Sequence, residues 1–580
     1  MEIIKKLREP LLYLLPLLAF TGFWIIPKTS ISNVALTTNG VSYAESLPIS
    51  KNIQENSDFS VSFNINVKNK KKAIYKVIPD DCILSIEINE KKFPQELIKN
   101  SCDYNNGTVL DFSEYIQEGL NKFEFQIKNH GGPGGLRIDY ARTGFSSVEF
   151  KHILFSALLL ITTALILKKL NFSKTAVFLI ILGIAIRLVY SSYTDIFDRV
   201  YDVLGHLEYI DIIADESRIP SVGETWSSNH PPLYYLFGAS IKNFFPEHYQ
   251  YILVKFALLI SFISIIFGIA FLQNLNFRRR FLFLSGLLFV SWPGFVICST
   301  RIGNDVPAYL GMFICIYYTQ KWWNEREAKY MILASIGAAL GIMFKSTALA
   351  VAGAWILIWL IGTLHSFKLA SIKTIAICIA IALASIFAAQ GRTIITAIKG
   401  EKVYIANTTT VNSRLKVNNS LGNYAYFDVK EYLTVPYLDT YNDKGGRQYF
   451  LNFAIKSSLF GEYKVWNTNF GQNLALMLAA ITIPLLALFI AGLFASDRKF
   501  FPAMLFLLAL LASLVANRVM YPLSCMQDTR YIMPIVLPLC AFIMHGANKI
   551  SHFSIRITAY CIIGLFSFLS LMFIIGSAFN

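Results

Sequence analysis

Between residues 192 and 249, in a polar stretch flanked by apolar ones, Asp195, Asp198, Asp202, His206, Glu208, Asp211 and His230 fall within 36 positions. Carboxylates and imidazoles at this density transfer protons, ligate metal or anchor a polar ligand, and an ordinary connecting loop seldom needs so many. Metal is poorly indicated, because His206 and His230 lie 24 positions apart with no compact carboxylate–histidine spacing. No other cofactor is indicated either. His230 precedes Pro231, Pro232 and a re-entry pattern over Leu233 to Phe237, so it reads equally as a substrate contact or a loop fixture.

The elements that must position these groups are membrane helices. The chain has 580 residues, 54% of them hydrophobic, with a mean hydropathy of +0.49, more apolar surface than one soluble core hides. About thirteen spans are expected: 10–27, 151–168, 174–191, 250–273, 281–298, 304–322, 329–345, 347–366, 371–390, 472–494, 499–516, 530–547 and 554–577. The second has a short apolar run, Ile153 to Leu167, and reads alternatively as an interfacial helix. If all cross, one set of connections carries Lys5, Lys6 and Arg8, then Lys168 and Lys169, then Arg278 to Arg280, then Arg498 and Lys499. That set is expected in the cytoplasm, which places the N-terminus inside and segments 28–150, 192–249 and 391–471 outside. Inside-facing lysines and arginines account for much of the net charge of +15, and no nucleic-acid motif accompanies it. No small-residue cleavage site follows Pro27, so the first segment reads as an anchor.

Residues 28–150 change character. Phe59, Val61, Phe63, Ile65 and Val67 alternate with polar neighbours, and ILSIEI, FEFQIK and LRIDY repeat that period between turn signals. The expectation is an extracytoplasmic β-sandwich. The run LDFSEYIQEGLNKFEFQI resembles jelly-roll modules of the galactose-binding-like class, which implies either glycan binding or a brace for the adjacent loops. Cys82 and Cys102 are the only cysteines in this stretch and form a possible disulfide. The other six sit in or beside spans without ligand spacing and read as packing residues.

The order of features in the first membrane loop, a span, an acidic residue, the amphipathic YIDIIADESRIP and then HPPLYY, resembles the GT-C superfamily of glycosyltransferases. The resemblance is to the branch of protein O-mannosyltransferases and lipid A aminoarabinose transferases. It implies a polyprenyl-phosphate sugar donor and an aspartate base, carried onto Asp202 at the head of YDVLGHLEYI with Asp198 as competitor. TRIGNDVPAY resembles the Asn-Asp signature of that branch and nominates Arg301, Asn304 and Asp305. GIMFKSTALA nominates Lys345, and DTRYIMPIVLP nominates Arg530 and Tyr531. His206, Glu208, His230 and Tyr234 complete the expected substrate contacts.

The residue types suit that reaction. A polyprenyl phosphate leaves as a weak base, so no acid must protonate it, whereas a glycosidase needs two carboxyls. One aspartate base and cations for the phosphate, Lys345, Arg530 and Arg301, meet the requirement. Each has a plainer reading as well: Asp202 as a helix cap, Asp305 as a helix N-terminal charge, Lys345 and Arg187 as snorkelling side chains, Arg530 as the partner of Asp528. Segment 391–471, with Arg392, Arg414 and Arg447, mixes aromatic and amide groups suited to sugar, and YFLNFAIKSSLFGEYKVW reads as a helix along the membrane interface.

The implied organisation is an anchor at 1–27, a β-sandwich at 28–150, a GT-C-like core at 151–390 with its catalytic loop at 192–249, a substrate loop at 391–471 and C-terminal helices at 472–580. The implied activity is inverting transfer of a monosaccharide to a glycan, lipid or protein acceptor; alternatives are an oligosaccharide ligase or polymerase, or a lipid-linked sugar transporter. Composition favours a bacterial inner membrane, with undecaprenyl phosphate as carrier.

Overall fold

The structure is a computed structural model that describes residues 31–45, 47, 49–67, 73–98, 101–102, 107–130, 133–140, 150–194, 202–225, 227–246, 248–366, 372–400, 415–462 and 464–579. Asp198, Arg414 and the expected span 10–27 lie outside them. The chain divides into two compact units, one within residues 19–155 and one within 156–580.

The first unit is built of antiparallel strands in two sheets: β1 (Ile31–Thr38), β2 (Val41–Ala44), β3 (Ile49–Asn52), β4 (Asp58–Val67), β5 (Ile74–Pro79), β6 (Cys82–Ile88), β7 (Lys91–Lys92), β8 (Thr108–Asp111), β9 (Gly119–Lys128) and β10 (Pro133–Tyr140). One sheet runs β2-β1-β4-β9-β6-β7, the other β3-β10-β5-β8. Along β4 the alternating Phe59, Val61, Phe63, Ile65 and Val67 all point inward, so the period-two pattern dictates the buried face. They share one core with Tyr75 and Val77 of β5 and Leu136 of β10 in the other sheet. The ring of Phe112, just after β8, meets Phe123 of β9 edge-on at 5.4 Å across that core. Cys82 and Cys102 are joined as a disulfide.

The second unit is helical. Its elements are α1 (Phe150–Lys169), α2 (Lys174–Tyr193), α3 (Val203–Glu216), α4 (Leu233–Phe244), α5 (Tyr249–Asn274), α6 (Arg279–Val290), α7 (Pro293–Cys298), α8 (Asp305–Glu325), α9 (Ala328–Phe344), α10 (Leu349–Ser366), α11 (Ile372–Ile398), α12 (Leu421–Ala425), α13 (Val429–Thr434), α14 (Phe450–Phe460), α15 (Asn469–Phe494), α16 (Phe501–Met520), α17 (Val536–Lys549) and α18 (Phe553–Ala578). Among the described residues, eight helices are long and apolar enough to cross a membrane, which makes this a multi-pass membrane protein.

Two expectations about these helices are corrected. The span expected at 281–298 is two helices, because Pro293 cannot donate to the ladder and the chain breaks at Ser291 and Trp292. The break is used: Trp292 donates its indole N–H to the Ser458 carbonyl of α14 at 2.7 Å, and a Cβ at Gly294 would lie 2.1 Å from that same oxygen. Arg187 does not snorkel to a helix end. It is fully buried, donates to the Gly183 and Val290 carbonyls at 3.2 Å each, and stacks 4.5 Å from the centre of Phe295. Its charge thereby meets the Val290 carbonyl where α6 stops, together with a carbonyl one turn back in its own helix.

α8 and α9 pack closely. A Cβ at Gly311 would fall 2.3 Å from the Gly341 nitrogen, and one at Gly337 2.6 Å from the Cys315 nitrogen, so glycines let the two backbones touch. This contact sets the start of α8 beside the end of α9.

Candidate active site

Asp202 occupies the N-cap position of α3, in the left-handed conformation (φ 58°, ψ 9°). Its side chain makes no capping bond. The turn aims the carboxylate instead at Arg530, whose Nη2 donates to Asp202 Oδ2 at 2.9 Å from 328 residues away. Arg530 lies on a 3-10 segment, Thr529–Ile535, that runs into α17. Three neighbours fix that segment: Tyr309 of α8 donates its hydroxyl to the Arg530 carbonyl, Ser457 Oγ of α14 accepts from the Thr529 amide at 3.0 Å, and Asp528 accepts from the Arg530 amide at 2.9 Å. The guanidinium Nε is also 3.3 Å from Asp528 Oδ2.

A second pair stands beside the first. Asp305, the opening residue of α8, is ion-paired with Lys345, which follows α9; their side chains are 10% and 7% exposed, so neither charge is met mainly by water. Asn304 donates to the Phe344 carbonyl at 2.9 Å, tying the same two helix ends. The ring of Tyr531 joins the two pairs: the Lys345 ammonium is 4.9 Å from its centre and the Arg530 guanidinium 5.0 Å.

The histidines complete the cluster. α3 buries Val203, His206, Leu207 and Ile210 at helical spacing, which turns His206 inward and leaves Glu208 on the exposed face. His206 Nδ1 shares a hydrogen bond of 2.8 Å with the Tyr235 hydroxyl, and Tyr234 accepts the Gly303 amide at 2.9 Å. α4 therefore links α3 to the loop that carries Asn304. A Cβ at Gly303 would lie 3.1 Å from His206 Nε2. The ring of His230 stacks 6.0 Å from that of His206, and its carbonyl accepts from Arg392 of α11 at 3.1 Å. Arg301 is buried, with its charge felt by Asp528 and Tyr309.

Electrostatics follow from burial and pairing. Burial would raise the Asp202 carboxyl, but Arg530, with His206 and Lys345, outweighs it and holds the group below the usual carboxylate value. Burial pushes the imidazoles down, His206 to about 4 and His230 to about 3, so both are neutral near pH 7. The cluster thus offers a partly exposed ionised carboxylate, Asp202, beside cations that flank a single ring, an arrangement suited to taking a proton from a hydroxyl while holding an anion. Among the described residues no group of three or more histidine, cysteine or acidic side chains is placed to hold a metal ion.

Asp202, His206, His230, Tyr234, Asn304, Asp305, Lys345, Arg530 and Tyr531 are brought together; Arg301 lies on the Asp528 side, and Glu208 faces away. Tyr235, Tyr309 and Glu462, also near Asp202 and Arg530, were not anticipated. Tyr235 had a signal in its place beside Tyr234, whereas nothing in spacing marks Tyr309 or Glu462. The helix expected along the interface, α14, instead buries Asn452, Phe453, Lys456 and Ser457 and supports the Arg530 segment.

Residues 229–389 match the family model described as dolichyl-phosphate-mannose-protein mannosyltransferase. The resemblance to the GT-C superfamily read in the sequence holds over that stretch. Two crystal structures of ArnT from Cupriavidus metallidurans, one bound to undecaprenyl phosphate and one in the apo state, are similar at 14% and 13% identity with TM-scores of 0.39 and 0.40. Each match covers 64% of this chain and 60% of the other. No curated protein matches the chain.

Proposed function

We propose that the protein is a membrane glycosyltransferase that moves a monosaccharide from a polyprenyl phosphate to a hydroxyl on a glycan, lipid or protein acceptor, with inversion and with Asp202 as base. The observation that carries this reading is the pairing of Asp202 with Arg530 beside Asp305–Lys345, the two cations flanking Tyr531. The match of residues 229–389 to a family described by a lipid-phosphate sugar donor supports it.

The acceptor oxygen attacks the anomeric carbon from the face opposite the phosphate and loses its proton to Asp202. The bond from that carbon to the phosphate oxygen breaks, and the electron pair leaves with the phosphate, which Arg530 and Lys345 hold. No acid is needed, since the leaving phosphate is already weakly basic. A donor phosphate also competes with Asp202 for Arg530. With the guanidinium drawn onto phosphate, Asp202 loses the charge that depresses its basicity, so the base strengthens when the donor is in place.

On this reading segment 192–249 and the β unit face the outside of a bacterial inner membrane, undecaprenyl phosphate is the carrier, and the β unit is a jelly-roll-like sandwich. Asp198 is the alternative base. The test is mass spectrometry of surface glycans and glycoproteins from cells lacking the gene, complemented with wild type or Asp202→Asn at matched expression. Loss of one sugar mass that wild type restores and Asp202→Asn does not is expected. Full restoration by Asp202→Asn removes it as base, and loss of a whole polymer favours a ligase, polymerase or transporter.

A further inference from the structure

At the end of α8 away from the site stand two cations that the mechanism above does not use. α8 has 21 residues, which at about 1.5 Å each span about 30 Å, the thickness of a bilayer's hydrocarbon core. Asp305 at one end lies in the site, so Arg326 at the other end belongs to the opposite membrane face. Arg498 joins it there, in the turn between α15 and α16, two of the helices long and apolar enough to cross.

That turn is bound to α8 through its backbone. Trp323 donates its indole N–H to the Arg498 carbonyl at 3.1 Å, and Gln320 donates to the Lys499 carbonyl at 2.9 Å. The Trp323 ring also stacks 5.2 Å from that of Phe501. The Arg498 side chain stays exposed, with its guanidinium 6.0 Å from the centre of Trp323. Arg326 reaches the same ring from the other chain segment. It ends α8 in the left-handed conformation (φ 60°, ψ 22°), which a side chain with a Cβ adopts at a cost. Its guanidinium lies 4.7 Å from the centre of Trp322 and 4.5 Å from that of Trp323. Gly362 of α10 makes the room, since a Cβ there would lie 2.5 Å from Arg326 Nη1 and 2.7 Å from the Trp322 ring.

Two like charges are thus held at one indole, a placement that repels until an anion joins them. The acids next to them in sequence are engaged by other cations: Glu325 by Lys321 at 3.9 Å, Glu327 by Lys329, and Asp497 by Lys549 at 3.6 Å. A basic residue that only fixes membrane orientation needs no more than to reach water. These two are brought to one place, Arg326 by an unfavourable turn and Arg498 by a pinned one. The anion at hand on a membrane face is a lipid phosphate, whose oxygens fit a guanidinium fork at the depth where tryptophan rings sit.

We propose that Arg326 and Arg498, with Trp323 between their backbones, form a binding site for the phosphate headgroup of an anionic phospholipid in the leaflet opposite the active site. The bound lipid bridges the end of α8 and the turn between α15 and α16.

The test uses the full-length protein in detergent, titrated with dioleoylphosphatidylglycerol, dioleoylphosphatidylcholine or inorganic phosphate and read by native mass spectrometry. Wild type is expected to retain one phosphatidylglycerol about tenfold or more tightly than phosphatidylcholine. Arg326→Gln and Arg498→Gln are each expected to remove that preference, and the exposed Arg498 keeps the test open if Arg326→Gln fails to fold. Arg280 is a control at the same end of the helices, where Asn324 of α8 donates to the Asn274 carbonyl of α5 at 3.1 Å. Arg280→Gln is expected to leave the preference intact. Equal retention of the two lipids by wild type overturns the proposal, as does an unchanged preference in Arg498→Gln. Equal loss in Arg280→Gln and Arg498→Gln assigns the effect to the charge of the whole face and overturns the site. Inorganic phosphate bound as tightly as phosphatidylglycerol assigns the arginines to a free anion and overturns the lipid. None of these outcomes depends on the transferase reading.

Discussion

The two ion pairs of the site are made of the same chemistry and built in opposite ways. Asp305 and Lys345 are 40 residues apart, sit at adjoining ends of two helices in glycine contact, and are almost fully enclosed. Asp202 and Arg530 are 328 residues apart, and the Asp202 side chain keeps 30% exposure on a left-handed residue at a helix start. A pair enclosed by helix packing resists separation, since each charge would be left buried. A pair with one open side can exchange a partner for a ligand. On the proposed mechanism the first is scaffold that presents a cation, and the second is the working pair.

The sharpest way to break this contrast is at the two aspartates. Asp202→Asn removes the proposed base and is expected to lower sugar transfer by about 10²–10⁴-fold. Because the group is partly exposed and Arg530 keeps Asp528, its effect on unfolding stability is expected to stay within about 1 kcal/mol. Asp305→Ala leaves the Lys345 ammonium buried and is expected to cost about 3–5 kcal/mol, read as a fall in the thermal unfolding midpoint of the purified protein. Equal destabilisation by both variants would erase the distinction between scaffold and working pair.

A smaller effect sharpens it. Gly311→Val drives a side chain into the α9 backbone, where a Cβ already lies 2.3 Å from the Gly341 nitrogen. The cost expected is about 1–3 kcal/mol, with the donor KM raised as Lys345 moves off its register. A change in stability without any change in donor KM would separate helix packing from the placement of Lys345.

The same contrast explains what was legible beforehand. Asp305 and Lys345 stand in short patterns, TRIGNDVPAY and GIMFKSTALA, and Asp202 and Arg530 each stand in one too. What no local pattern encodes is that Asp202 meets Arg530, because the meeting depends on how α3, α8 and α14 pack, not on spacing. Glu462 was invisible for that reason: a glutamate after a helix reads as surface until Gly461 turns it inward. α14 was misread because an amphipathic pattern tells that one face is apolar without telling what covers the other. The break at Trp292 and Pro293 was written in SWPG, but an apolar run on both sides outweighed it in the reading of a span. In the β unit the period of two reports the buried face directly, and β4 has the inward residues expected of it.

The last and smallest expected effect concerns the histidines between the pairs. His206 is neutral in the fold because burial lowers it to about 4, whereas an unfolded chain titrates it near 6.5. Between those values the unfolded state binds more protons, so stability rises with pH through the window and is lost as pH falls from about 6.5 toward 4. His230, lowered to about 3, adds in the same direction. The thermal unfolding midpoint of wild type is expected to decline across that range, and His206→Gln, which removes one of these groups, is expected to decline less steeply. Parallel slopes in the two proteins would mean that His206 is charged in the folded state. In that case the cluster holds a third cation beside Lys345 and Arg530, and the imidazole would share in phosphate capture instead of serving as neutral packing between the two pairs.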